Sequence, residues 1–197
     1  MIVYEDVNMI ERTLVLIKPD GVYRALIGKV IQRFEDAGLK VVGMKMVWPS
    51  KDMASEHYVA DEKWLLNVGT NAKKSYIEKG MDVNESELEI GNKVRNYLLD
   101  YITSGPIAAL VIEGNDAVSI VRKIGGSTSP QKADPSSIRG MYSSDSYQMA
   151  DEGKRAVKNI LHMSEDPVIA KREIKVWFSE AELVDYKRAD EKIQYGT

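Results

Sequence analysis

The chain has 197 residues, of which 44% are hydrophobic and 29% are charged, with a formal net charge of −3 at pH 7. This length suits one domain, and the composition is that of an ordinary folded protein and not of a disordered or coiled-coil chain. The lack of cysteine excludes a disulfide scaffold, a structural zinc–cysteine cluster and a thiol nucleophile, and a total of two histidines argues against a dedicated transition-metal site.

No segment predicts insertion into a membrane or export from the cell. Apolar runs such as residues 107–112 are far shorter than the ~20 residues needed to cross a bilayer. Residues 1–8 carry acids and lack the basic and then apolar pattern of a secretion signal. We therefore expect a cytoplasmic protein.

The net negative charge argues against a protein that coats nucleic acid. The bases are nevertheless concentrated locally, because residues 117–140 hold four bases and one acid. This stretch is the first candidate for binding an anionic ligand, and the alternative is a basic surface loop.

The N-terminal part of the chain predicts a strand, a helix and a second strand. Residues 13–17 form a short apolar run that ends at the turn signal Lys-Pro-Asp-Gly. Apolar residues then recur at helical spacing from Leu26 to Phe34, and Gly38 is expected to close this helix. The second strand is expected at residues 39–48.

The middle of the chain predicts mainly helix. Ser50 is expected to cap a helix that runs to about Tyr58, and an apolar stripe from Glu87 onward predicts another that ends before Gly105. A third strand is expected at residues 107–112, followed by a helix at 117–124. Residues 125–157, rich in Ser, Gly, Asp and Lys, are expected to be mainly irregular loop.

The C-terminal part predicts a short fourth strand at residues 160–163 and then a helix. Ser164 is the expected cap of this helix, with acids in its first turn. The free backbone N–H groups at its start are expected to point towards a ligand beside His162, a setting that suits phosphate. The other histidine, His57, is expected to lie on the solvated surface of a polar helix.

The order of elements, apart from a helical insertion, is strand-helix-strand twice. It predicts an α+β, ferredoxin-like split βαβ sandwich, with a four-stranded antiparallel sheet and helices on one face. This architecture carries many unrelated activities, so the fold alone does not fix a function.

Seven segments in chain order carry a family resemblance. They are Glu11–Val22, Ser104–Pro106, Thr128–Pro130, Ile138–Gly140, Asn159–Glu165, Arg172–Phe178 and Glu182–Tyr186. Together they resemble the nucleoside diphosphate kinase family, in its long, archaeal-like form. The resemblance implies one domain over residues 1–197, with insertions at about 59–93 and 141–158.

Membership would imply a two-step phosphoryl transfer through His162, in which a nucleoside triphosphate phosphorylates the imidazole and a nucleoside diphosphate collects the group. A neutral imidazole is a competent nucleophile near neutral pH, since its unperturbed pKa is ~6.5. Phosphoryl transfer otherwise requires mainly positioning and charge stabilisation.

The resemblance also implies roles for matching residues. Lys18 would neutralise charge on the transferred group, and Ser164 and Glu173 would hold the imidazole and fix its tautomer. The nucleotide would be bound by the residues Lys18, Tyr58, Val94, Arg122, Thr128, Arg139 and Asn159. Val94 stands where compact members stack an aromatic on the base, with Trp64 as the alternative. Met163 and Glu165 depart from the family pattern, and this departure leaves the catalytic rate open.

The implied cofactor is Mg²⁺, held mainly by the nucleotide phosphates and water, because Mg²⁺ needs few protein ligands at such sites. The implied assembly is a homo-oligomer, usually a hexamer. Two other functions stay open: a weak or inactive nucleotide-sensing or scaffolding relative, and a nucleic-acid-binding protein that uses the basic stretch. The composition disfavours the second of these.

Overall fold

A computed structural model describes residues 10–78, 80 and 82–195. The expectation about a secretion signal concerns residues 1–8, which lie outside the described residues. The centre of the molecule is a four-stranded sheet made of β1 (Ile10–Ile17), β2 (Lys40–Val47), β3 (Ile107–Asn115) and β4 (Leu161–Met163). The strand order is β2-β3-β1-β4, and each of the three pairings is antiparallel. The ferredoxin-like fold class is confirmed.

Ten helices surround the sheet within the described residues. They are α1 (Pro19–Tyr23), α2 (Ile27–Asp36), α3 (Lys51–His57), α4 (Glu62–Glu78), α5 (Glu87–Thr103), α6 (Ala117–Gly125), α7 (Ile138–Tyr142), α8 (Tyr147–Glu152), α9 (Pro167–Trp177) and α10 (Glu191–Tyr195). Single 3₁₀ turns lie at Pro130–Lys132 and Glu180–Glu182. None of these helices is both long enough and apolar enough to span a bilayer.

Helices cover both faces of the sheet, so the expectation of helices on one face is wrong. Val15 and Ile17 of β1 point into one core with α2 and α6, whereas Leu14 and Leu16 point into a second core with α3, α5 and α9. Successive strand residues face opposite sides, so two cores require apolar residues at consecutive positions. This is why residues 14–17 of β1 and 107–112 of β3 are continuous apolar runs without polar alternation.

Two local predictions need correction. The Lys-Pro-Asp-Gly segment is not a simple turn, because α1 begins there with Pro19 at its first position, where a missing N–H costs nothing. Residues 125–157 are also more ordered than expected, since they contain a 3₁₀ turn, α7 and α8. Ser137 and Ser146 cap these two helices, each accepting a backbone N–H three residues on.

The predicted insertion at 59–93 includes α4 and the start of α5, which pack closely as an antiparallel pair. A Cβ added at Gly69 would stand 1.7 Å from the backbone oxygen of Glu87, and one at Gly91 would stand 2.1 Å from that of Leu65. The two helices therefore approach to a distance that only glycine permits at these positions.

Candidate active site

The centre of the candidate site is formed by β4 and α9. Antiparallel pairing places His162 opposite Leu16 of β1, and α9 packs across the same sheet face. The His162 side chain is 18% exposed, so the ring is open to a ligand while most of it is supported by protein. Glu173 lies two turns into α9 and is buried.

The start of α9 differs from the sequence prediction. Its cap is Asp166, whose carboxylate accepts the backbone N–H groups of Val168 and Ile169 at 2.8 Å each. The expected cap Ser164 is buried and lies before the helix. The prediction that free N–H groups at this end face a phosphate is therefore wrong, because Asp166 occupies two of them.

Glu173 connects the side chains of His162 and Ser164, as the resemblance implies. Its Oε2 lies 2.9 Å from Nε2 of His162 and accepts a hydrogen bond from the Ser164 hydroxyl at 2.7 Å. Burial acts to raise the pKa of Glu173, but the neighbouring His162 and these hydrogen bonds outweigh it and lower that pKa to about 2. Glu173 is thus an ionised carboxylate at neutral pH.

The ionised carboxylate determines the tautomer of His162. A carboxylate can only accept, so Nε2 of His162 must be the donating N–H in this contact. The lone pair of the neutral ring is then on Nδ1. The geometry leaves Nδ1 as the nitrogen that can attack an electrophile.

His57 is not a surface residue, and the expectation that it is solvated is wrong. It is 2% exposed, and its ring centroid lies 4.3 Å from that of His162 with the planes at 83°. Trp177 of α9 donates its indole N–H to Nδ1 of His57 at 3.2 Å. A signal was present in the sequence, because Ala54 and His57, three residues apart, form the buried stripe of α3.

Asn159 joins the cationic side of the site to the loop that follows α6. Its Oδ1 accepts a hydrogen bond from Lys18 Nζ at 2.9 Å, and its Nδ2 donates to the backbone oxygen of Thr128 at 2.9 Å. Burial, helped by the nearby Arg139 cation and opposed by Asp20, lowers the pKa of Lys18 to about 7. The site therefore holds an amine that is ready to accept a proton.

Tyr101 and Asp20 hold Lys18 and the backbone before His162 in place, and neither was predicted from the sequence. Lys18 Nζ lies 5.1 Å from the centre of the Tyr101 ring, and the Tyr101 hydroxyl donates to Asp20 Oδ1 at 2.5 Å. Asp20 Oδ2 accepts the backbone N–H of Ile160 at 3.2 Å, and Ile160 has a φ of +69°. These contacts hold a strained backbone two residues before His162.

The two arginines have different surroundings. Arg139 is 5% exposed and donates to three backbone oxygens, those of Gly126, Asn159 and Leu161, at 2.8, 3.2 and 2.7 Å. Burial lowers the pKa of Arg139 to about 10, so it is a cation at neutral pH. The Arg122 side chain is exposed and makes no hydrogen bond or ion pair within the described residues. The guanidinium N–H groups of Arg122 are available to a ligand, whereas Arg139 also stabilises the backbone through its three hydrogen bonds.

The remaining predicted residues are Tyr58, Thr128 and Val94, of which Tyr58 lies near His162. Tyr58 is half-buried, with its ring centroid 6.3 Å from that of His162, and burial raises the pKa of its hydroxyl, which stays protonated. Thr128 is exposed. Val94 is half-buried on α5, seven residues and thus two turns before Tyr101, and so lies on the same helix face. The prediction that Val94 or Trp64 contacts the base stays untested.

The two predicted insertions meet beside the site. Tyr76 of α4 donates to Asp151 of α8 at 3.3 Å. A cleft of about 260 Å³ lies between the C-terminal half of α5 and residues 154–158, and its lining includes Tyr101 and the bases Lys154 and Lys158. Of the two departures from the family pattern, Met163 points into the core against Gly125, on the sheet face away from His162, and Glu165 is exposed.

His57, His162 and Glu173 could in principle supply metal ligands, because their nearest donor atoms all lie within 4.8 Å of one another. Two imidazoles and one carboxylate suit a transition metal and not Mg²⁺, which prefers oxygen ligands. Three of their atoms, His162 Nε2, Glu173 Oε2 and His57 Nδ1, are also engaged with each other, with Ser164 or with Trp177. The fit for Mg²⁺ therefore lies with phosphate oxygens and not with this cluster.

A split βαβ sheet that carries a partly exposed histidine, a buried carboxylate beside it and the buried bases Lys18 and Arg139 suits a histidine phosphotransferase. The family model described as "Nucleoside diphosphate kinase" matches residues 11–66 and 88–183. The chain belongs to the nucleoside diphosphate kinase family.

Relatives match the chain over nearly its full length. A nucleoside diphosphate kinase of Pyrobaculum aerophilum is 44% identical over 181 residues, covering 89% of this chain and 99% of the relative. A crystal structure of an NDP kinase from that organism has a TM-score of 0.87 at 42% identity, covering 89% of this chain and all of the other. A Borrelia burgdorferi enzyme, solved as a transition-state mimic with vanadate and ADP, has a TM-score of 0.77 at 34% identity, with coverages of 94% and 97%.

Proposed function

We propose that this protein transfers the terminal phosphoryl group of a nucleoside triphosphate to a nucleoside diphosphate, with His162 as the temporary carrier. The observation that carries the proposal is the 2.9 Å contact between His162 Nε2 and the ionised Glu173, because it leaves the lone pair on the accessible Nδ1. A relative solved with vanadate and ADP and another, from Halobacterium salinarum, solved with CDP support nucleotides as the substrates.

The chemistry has two displacements. In the first, Nδ1 of His162 attacks the γ-phosphorus, an N–P bond forms, and the bond from phosphorus to the bridging oxygen breaks, so the diphosphate leaves. In the second, a terminal oxygen of a different diphosphate attacks the same phosphorus and the N–P bond breaks. The imidazole proton stays on Nε2 of His162, hydrogen-bonded to Glu173, throughout both steps. No separate base is needed.

The cationic groups would stabilise charge on the phosphates. Lys18 would take up a proton as the phosphates approach and offset charge on the transferred group. Arg122 and Thr128 are exposed and can reach a bound phosphate chain, and Arg139 keeps two further N–H groups beyond its three backbone contacts. Asn159 and Tyr58 would contact the sugar and the transferred group.

Mg²⁺ is proposed as the cofactor, bound through the phosphates and water. When bound, it would neutralise charge on adjacent phosphate oxygens. We also propose a homo-oligomer, by family habit a hexamer, and a cytoplasmic location, where nucleotide substrates are abundant.

The decisive experiment uses γ-labelled ATP followed by GDP. The protein is expected to acquire acid-labile label on His162 and to pass it on to form labelled GTP. His162→Ala should abolish both events while leaving the thermal unfolding midpoint unchanged. Nucleotide binding without protein label would instead indicate a sensing or scaffolding relative, and a mutant that keeps a tenth of the exchange rate would mean that another residue is the nucleophile.

A further inference from the structure

The proposed transfer leaves His57 without a role, although it touches the proposed nucleophile. It is the last residue of α3, and its side chain is fully buried. The rings of His57 and His162 meet edge to face at a centroid distance of 4.3 Å. This is at the short end of ring-pair distances, so the position of one ring constrains the other.

The orientation of His57 is itself fixed by α9. Trp177 is 1% exposed, and its indole nitrogen can only donate, so Nδ1 of His57 must accept. The proton of His57 is then on Nε2. Burial first, and then the neighbouring His162, lower the pKa of His57 well below its usual value, so the ring is neutral.

Nε2 of His57 is buried without a hydrogen-bond partner within the described residues. A buried unsatisfied N–H costs about 1–3 kcal/mol. Phenylalanine would fill a similar space without that cost, but it could not accept the Trp177 proton. The ring alone supplies the contact with His162, and its Nδ1 acceptor adds the anchor to α9.

We propose that His57 is a positioning residue for His162: anchored by Trp177, its ring forms a wall that prevents the His162 imidazole from rotating away from Glu173. The inference rests on the proposed role of His162 as phosphoryl carrier. A single hydrogen bond at Nε2 leaves the His162 ring free to swing about its Cβ–Cγ bond. The contact with His57 limits this rotation, so that Nδ1 faces the incoming phosphorus.

The Glu173 carboxylate is shared by the two contacts. Its Oε2 holds His162, and its Oε1 lies 3.8 Å from Nδ1 of His57. Glu173 and Trp177 stand four residues apart on one face of α9. One helix thus fixes His162 directly, through Glu173, and a second time through the ring contact with His57. Small misplacements of a reacting group can cost ~100-fold in rate, so the wall has a measurable effect.

The test compares three variants in the full chain. His57→Ala removes the ring, His57→Asn keeps an acceptor for Trp177 without a ring, and His57→Phe keeps a ring without the acceptor. The readout is the single-turnover rate of His162 phosphorylation at saturating ATP, together with the KM for ATP. We expect Ala and Asn to slow phosphorylation about 10–100-fold with KM within threefold, and Phe to recover most of the rate.

A second readout does not depend on turnover. Nitrogen-15 NMR of labelled histidine should show His162 in one tautomer, with Nε2–H, in the parent protein and in the Phe variant. The Ala and Asn variants should show mixed tautomers or exchange broadening at His162. If His57 had a purely structural role, its replacement would change the unfolding midpoint and leave the NMR signal of the His162 tautomer unchanged.

The outcomes separate the inference from the function on which it rests. Loss of exchange in His162→Ala with parent-like rates in His57→Ala would keep the proposed function and overturn the inference. A changed rate with an unchanged His162 tautomer, or a Phe variant no faster than Asn, would also overturn it. If the Ala variant does not fold, the Phe and Asn comparison still decides the question.

Discussion

One oxygen of Glu173 accepts hydrogen bonds from both His162 and Ser164, at 2.9 and 2.7 Å. Glu173→Gln keeps an oxygen that can accept both bonds and removes only the charge. A charge-assisted hydrogen bond is worth about 1.5–3 kcal/mol, so we expect phosphoryl transfer to slow about 10–100-fold. Rapid-quench measurement of His162 phosphorylation checks this. Ser164→Ala, which removes one of the two bonds to the carboxylate but keeps its charge, should cost less, and a Gln variant at the parent rate would contradict the role of the charge.

Glu173 should also make the fold sensitive to acid. Its pKa is held at about 2 in the folded protein, below the 4.5 of a free glutamate, so the unfolded chain binds its proton first as pH falls. The stabilisation is complete above about pH 5 and is lost as pH falls towards 2. Urea unfolding at pH 7, 5 and 4 should show a falling free energy of unfolding. Glu173→Gln should flatten that fall, and parallel curves for the two proteins would contradict the assignment.

Nucleotide binding should be accompanied by proton uptake at Lys18. The pKa of this buried amine is about 7, so at pH 8 it is largely neutral until phosphates raise its pKa. Calorimetric titration with ATP at pH 8, in buffers of different ionisation enthalpy, should show uptake of up to one proton, and KM should rise with pH above about 7. Lys18→Met should abolish the uptake, whereas Lys63→Met, on the exposed side of α4, should retain it. Equal uptake in the two variants would rule out Lys18.

Much of the scaffold could be predicted because its signals are local. The apolar runs of β1 and β3 and the helical spacing of α2 do not depend on partners, and Ser50 does cap α3 by accepting the Met53 N–H. The covering of the second sheet face could not be predicted in this way. It depends on α5 and α9 meeting across the sheet, which is a long-range relationship.

The same holds for the candidate site: its local motif could be predicted, whereas its long-range contacts could not. The motif around His162 indicates the nucleophile, but it does not show which donors the protein itself uses. Arg139 resembles a phosphate ligand in sequence, yet three backbone oxygens occupy its guanidinium. His57 resembles a surface residue because most of its neighbours in α3 are polar, and the contacts with Trp177 and His162 show its buried environment.

Replacing Arg122 or Arg139 by alanine should therefore have different effects on activity and on stability. Arg122→Ala removes an exposed side chain, so we expect at least a tenfold rise in KM for ATP and slower transfer with an unfolding free energy changed by less than about 0.5 kcal/mol. Arg139→Ala leaves three backbone oxygens without this donor, so it should lower stability by about 2–4 kcal/mol as well. Thermal and urea unfolding beside steady-state kinetics distinguish the two. An Arg122 variant with parent kinetics would remove it from the phosphate site.

The α4–α5 pair should depend on its two glycines. At Gly69 an added Cβ would meet a backbone oxygen that cannot move aside, so Gly69→Ala must separate the helices and should destabilise the protein by about 1–3 kcal/mol. Gly91→Ala should have a similar effect. Gly28 of α2 is the matched control, because a Cβ there meets nothing within 4 Å, and Gly28→Ala should stabilise by about 0.5–1 kcal/mol through helix propensity. Urea unfolding measures all three, and a Gly69→Ala protein as stable as the parent would show that the close helix contact does not contribute to folding.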